Sequence, residues 1–430
     1  MTSRSRKAIV WGIALVLAVS FGTPAAFAAP NHSIKATLTV YDWENQEDVV
    51  IAAAAHARFN KVYPNVKIVT QAQSGFTGWA EYINRLLAMI ASGNTPDVAL
   101  MAIEGTRQLV SKNVMLPLDE RMANDTTAKE LISDVSPTLF DPLRIDGKTF
   151  IFPTLYNTIP IFYNTKLFKA AGLQPPNAGW TTEDFRNAAI KLTKGSGDTK
   201  VYGFDMDMYS IFLNMWPYSF GTSTLTADWS GSNLNDPKVL EAYQFLHDLV
   251  YKDGAMPVPE VNSSASNLFA AGRVAMVPGG HNSIVQFNNV GFKDWDVAIM
   301  PHKVKGSKTE IYGVAGFGIL KASKNPDLGW EFIKEMAGPE TMKAVAAAGT
   351  NCPVRRSVAM SASFLKFPPN ARIFYDSLSD AKPLPAPIND SEFEEILSRH
   401  YLEFMSNKTP VADSLAVAHK ELQASFDALK

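Results

Sequence analysis

The chain has 430 residues, 46% of them hydrophobic and 11% aromatic, and a formal net charge of −2. That length and apolar content suit buried cores in two domains rather than a disordered chain, and the near-balanced charge argues against nucleic acid, whose phosphates demand a basic face. The single cysteine, Cys352, excludes an internal disulfide, CxxC redox chemistry and a thiolate zinc site.

In chain order, Arg4, Arg6 and Lys7 precede an uncharged apolar run over 8–20 and the Ala26-Phe27-Ala28 pattern. Together these read as an export signal over 1–28, removed after Ala28. The run is shorter than the roughly 20 residues a membrane helix needs. No cysteine stands near the junction to carry a lipid, so the mature chain is expected to be soluble. Apolar strands are then expected at 36–41, 66–71 and 97–101, with helices at 49–63 and 79–92 between them. Strand and helix in alternation with short links predict a parallel, doubly wound α/β sheet.

The middle of the chain leaves that pattern. Extended runs at 149–152 and 159–163 flank 153–158, a segment expected to leave the first sheet. Helices follow at 182–194, 237–251 and 263–271, then short strands at 274–277 and 295–300. A strand at 314–320 returns to a lobe, and the remainder is helical at 326–337, 339–348, 392–405 and 411–429. Several mid-chain crossings in so long a chain predict two α/β lobes that exchange strands.

No G-x-S-x-G elbow, H-E-x-x-H, Walker loop or G-x-G-x-x-G follows a strand, and the seven histidines are scattered. No cofactor and no metal are therefore expected. Ligands of open α/β sheets sit beyond the carboxyl ends of the strands. After the first strand, Trp43 could stack on an apolar sugar face, while Glu44 and Gln46 take hydroxyls. After the second, Gln73 and Ser74 suit hydroxyl recognition. Tyr312 and Gly316 are placed near the cleft, where glycine lets backbone approach a ligand. A glycoside hydrolase would need two facing carboxyl groups, and the sequence offers no evident pair.

The stretch 145–168, IDGKTFIFPTLYNTIPIFYNTKLF, resembles the first interlobe crossing of the family 1 extracellular solute-binding proteins, carbohydrate binders of ABC importers. Further matching pieces are RFNKVYPNVKI at 58–68, SGNTPDVAL at 92–100, FAAGRVAMVPGG at 269–280, WDVAIMPH at 295–302 and GTNCPVRRSVA at 349–359. The resemblance implies the two-lobed periplasmic binding protein fold, with a hinge cleft that closes over one solute. It divides the chain into a first lobe, 29–156 plus 301–350, and a second, 157–300 plus 351–430. It also implies a periplasmic monomer that hands a sugar or polyol to ABC permease subunits.

For the site, the resemblance puts an acidic ligand contact at Glu104 and places Tyr156 and Asn157 in the first crossing, with an amide where the family has an acid. It also puts a stacking aromatic near Trp216, with Tyr209 as a second choice. At Gly280-His281 this chain has histidine where the family often has tryptophan, which points to a smaller or more polar ligand. Arg355, after the third crossing, could hold a hydroxyl pair or a carboxylate. An acidic sugar or phosphorylated polyol is accordingly the alternative solute.

Overall fold

The computed structural model describes residues 30–43, 46–73, 78–260 and 263–430. The expected export signal lies outside them, as do Glu44 and Ser74. Strands β1 (Ala36–Trp43), β2 (Val66–Gln73) and β3 (Val98–Ala102) run parallel, β1 in the middle, with Val40 opposite both Thr70 and Val98. Helices α1 (Gln46–Val62) and α2 (Trp79–Ala91) make the crossovers. All five residues of β3, VALMA, are buried, the continuous apolar run expected of a parallel strand covered on both faces.

The later strands are β4 (Phe152–Thr158), β5 (Ile161–Asn164), β6 (Met276–Pro278), β7 (Trp295–Ala298), β8 (Ile311–Ile319), β9 (Cys352–Pro353) and β10 (Lys382–Pro383). The large sheet has the order β9-β4-β8-β3-β1-β2, with β10 paired to β8. It is mixed, because β8 runs antiparallel to both β3 and β4. In the second lobe β5 lies between β6 and β7, antiparallel to both.

Each face of this small sheet belongs to a different core. Phe162, Val277, Trp295 and Val297 pack into the core of the large sheet, while Ile161, Tyr163, Met276 and Ala298 pack into the second core. The alternation is the two-residue period of a strand. The second core also takes the helix Val411–Asp427 through Leu415, Ala418 and Leu422.

Residues 153–158 differ from expectation. They do not leave the large sheet but form β4 inside it. Pro153 is tolerated there because the pairing with β8 shifts register between Ala315 and Gly316, the kind of irregularity that admits a proline. Only Ile159 and Pro160 then separate β4 from β5. The return also comes later than expected: β9 pairs with Leu155 and Tyr156 of β4, and β10 with β8. Residues 352–353 and 382–383 therefore stay with the large sheet, although the second lobe was expected from 351 onward. Among the described residues no helix is long and apolar enough to cross a membrane.

Candidate functional site

The carboxyl ends of β1 and β3 open onto a cavity of about 700 Å³ lined from both lobes, a size typical of small-molecule sites. The large sheet contributes Trp43, Ala102, Leu155 and Val314 to its wall. The opposing side includes Gly280, Asn282 and the first residues of α4 (Ser210–Ser219).

Trp43 closes β1 and is half-buried on this wall. Its ring lies 4.9 Å from Trp79 and 5.6 Å from Tyr82, at 56° and 26°. Trp79, which the sequence reading did not single out, also lines the cavity. An indole at the helix start, a few residues after β2, was the available signal.

Asn157 reaches the cavity from β4, but its amide is already engaged. Nδ2 donates to Asn351 Oδ1 at 2.8 Å, and Oδ1 accepts from the His281 N–H at 2.9 Å. It thus ties the first crossing to the turn at 280 and to the chain entering β9. Gly280 permits this approach, since a Cβ there would stand 2.9 Å from the Asn157 side chain.

Glu104 lies in the first turn of α3 (Ile103–Ser111), at the cavity edge. Facing it is Glu394 of α5 (Asp390–Met405), which also lines the cavity and bonds to Ser210. Asp390, one turn earlier on α5, is 3% exposed, and neither of its carboxylate oxygens has a hydrogen-bond partner. Glu104 Oε2 is likewise unpartnered and out of solvent reach. Burial, and then repulsion from Glu394, pushes the pKa of Glu104 up to about 8. Burial alone lifts Glu394 to about 7, and burial with both glutamates drives Asp390 well above the carboxylate range.

The structure brings Trp43, Glu104, Asn157, Tyr209 and Gly280 to one cavity. Tyr209 stands at its mouth, 56% exposed. Gln73 ends β2 opposite Trp43 in register, and Gln46 is exposed at the start of α1, off the cavity.

The other expected site residues are placed elsewhere. Trp216 is fully buried in the second core against Phe185, Phe204 and Phe245, with its indole N–H on Met206 Sδ at 3.2 Å. Its apolar ring packs α4 against its own lobe. The His281 ring stacks on Phe364 at 5.0 Å, with Nδ1 3.2 Å from the Gly349 carbonyl, and burial holds its pKa down at about 4. It is a neutral core ring. Tyr156 and Tyr312 are buried and donate their hydroxyls to the Phe374 and Thr138 carbonyls at 3.2 and 2.7 Å. Gly316 answers to its neighbour strand: a Cβ there would stand 1.9 Å from the Phe152 carbonyl. Arg355 pairs with Asp134 at 3.0 Å, away from the cavity.

The family model for the bacterial extracellular solute-binding proteins matches residues 43–343. A binding protein of Brucella abortus is 27% identical over 267 residues, 59% of this chain and 61% of the relative. A maltotriose-binding protein of Pyrococcus abyssi is 22% identical over 313 residues, 71% of this chain and 64% of the relative. The matched stretch thus spans less than two thirds of either relative. Among solved structures, an ABC substrate-binding protein of Listeria monocytogenes in complex with cycloalternan superposes with a TM-score of 0.81. The two are 21% identical, over 92% of this chain and 100% of that one. That likeness establishes the two-lobed fold.

Proposed function

The chain belongs to the bacterial extracellular solute-binding proteins, and from that premise we propose that it is the periplasmic substrate-binding component of an ABC importer, capturing a small carbohydrate or polyol. The observation that carries the reading is the cavity itself: the Trp43 ring beside hydrogen-bonding side chains, with walls supplied by both lobes. A flat ring matches the apolar face of a pyranose, and the polar groups match its hydroxyls. The maltotriose-binding relative and the cycloalternan-bound neighbour support the same solute class. Capture proceeds by closure, because only the closed form lets both lobes touch one solute. The monomer then delivers its load to the permease subunits.

Turnover is not part of this reading. The matching family model, the maltotriose-binding relative and the cycloalternan-bound neighbour all describe binding proteins. The acidic-solute alternative lacks an anchor: among the described residues no Lys, Arg or His lines the cavity, and Arg355 is committed to Asp134.

The test is calorimetric titration against a panel of sugars and polyols. At least one member should bind, and Trp43→Ala should weaken it about tenfold, the value of one lost ring stack. Failure of every member to bind ends the carbohydrate reading.

A further inference from the structure

Carboxylates dominate the charge of the cavity. Asp42, Asp48, Glu104, Asp207 and Glu394 line it, and among the described residues no cationic side chain does. The sequence reading saw only Glu44 and Glu104 here, since α5 enters from far along the chain.

Two of these groups, Glu104 and Glu394, together with Asp390 one turn from Glu394, bring the two lobes together across the cleft. Glu104 belongs to α3, whose Ile103 and Leu109 sit in the core of the large sheet; Asp390 and Glu394 belong to α5, whose Phe393, Ile396 and Leu397 sit in the second core. The three carboxyl groups sense one another, and among the described residues none of them takes part in an ion pair. Glu104 Oε2, at the cavity edge, finds no donor, and neither do the two oxygens of Asp390, which does not itself line the cavity, so acceptor capacity stands unfilled beside the cavity. Crowded together with no cation between them, Glu104 and Glu394 hold their protons well above the usual carboxylate range, and an arriving cation would displace those protons.

These oxygens suit a donor with positive charge. Among the described residues no set of carboxylates or histidines converges closely enough to hold a metal ion, so the fit is to an organic cation. An ammonium brings three donors and no acceptor, matching the unfilled oxygens. Resting on the solute-capture reading above, we propose that the solute carries a protonated amine, as in an amino sugar or aminated polyol, whose ammonium docks between Glu104 and Glu394 with Asp390 behind them. The same cation fastens one lobe to the other, so charge recognition and closure are one event.

The test is calorimetric titration at neutral pH with four matched series: neutral hexoses and hexitols, their 2-amino-2-deoxy counterparts, the N-acetylated forms, and the uronic acids. A free amine should bind about tenfold or more tighter than its neutral and N-acetylated partners, the worth of a charge-assisted hydrogen bond. Glu104→Gln and Glu394→Gln should each shrink that preference severalfold. A neutral or acidic member binding the unaltered protein as tightly as its amine overturns the proposal and leaves solute capture standing. Binding by no series overturns both. The comparison within the unaltered protein needs no variant to fold.

Discussion

Strand β3 has a carboxylate beyond each end, and the two live under opposite conditions. Asp97 precedes the strand and is 5% exposed. One of its oxygens accepts from the Thr39 amide and hydroxyl at 2.9 and 2.8 Å; the other accepts from Ser323 Oγ and the Lys324 amide at 2.7 and 3.1 Å. Burial raises its pKa, but the bonds from Thr39, Ser323 and Asn325 outweigh that and hold it below the usual value. Glu104 follows the strand, half-buried as a residue but with Oε2 out of solvent reach and without a donor; burial and Glu394 lift it to about 8. Depth does not decide the fate of a carboxylate. The supply of donors does, and it fails at the end of the sheet where a solute would arrive.

The sharpest way to break this contrast is Asp97→Ala, which leaves several buried donors without an acceptor. It should cost roughly 3 kcal/mol or more in denaturant unfolding; a loss near zero would mean that water replaces the carboxylate. The pH response should separate the two ends next. Glu104 is ionised in the unfolded chain above its ordinary value of 4.5 but keeps its proton in the folded one until about 8. The unfolded state therefore binds fewer protons across that window, and its share of stability falls as pH rises from 4.5 to 8. Glu104→Gln should flatten the decline in melting temperature over that range, and an unchanged slope would contradict the assignment. Asp97, with its pKa lowered, contributes stability present above its unfolded pKa and lost as pH falls through the folded one, in acid. The smallest effect is expected from Thr39→Val, which removes one hydroxyl partner of Asp97 and should cost about 1 kcal/mol, read by the same unfolding measurement.

The elements around β3 were legible because apolar runs and helical periods repeat locally: β1, α1, β2 and α2 fall within a few residues of expectation. The opening of α3 was not, because Ile103-Glu104-Gly105 shows too little periodicity and contains a glycine. In the structure that glycine is packed against Ile83 of α2. For the site, ring type alone did not tell wall from core. Trp43 and Trp216 are alike in sequence, and only tertiary packing sends one to the cavity and the other among Phe185, Phe204 and Phe245. His281 failed for the same reason: its partner Phe364 is remote in sequence. Glu394 was invisible because nothing local sets it apart from its acidic neighbours Glu392 and Glu395.

The two-residue join of Ile159 and Pro160 is constrained in length more than in composition. Along β5 the side chains alternate between two separate interiors, Phe162 toward one and Tyr163 toward the other. One inserted residue would exchange those directions along the whole strand, sending the Tyr163 hydroxyl, now 3.2 Å from Asp296 Oδ2, into a layer of aromatic rings. Substitutions at the join can be absorbed locally, whereas a change in spacing would be felt by both halves of the molecule at once.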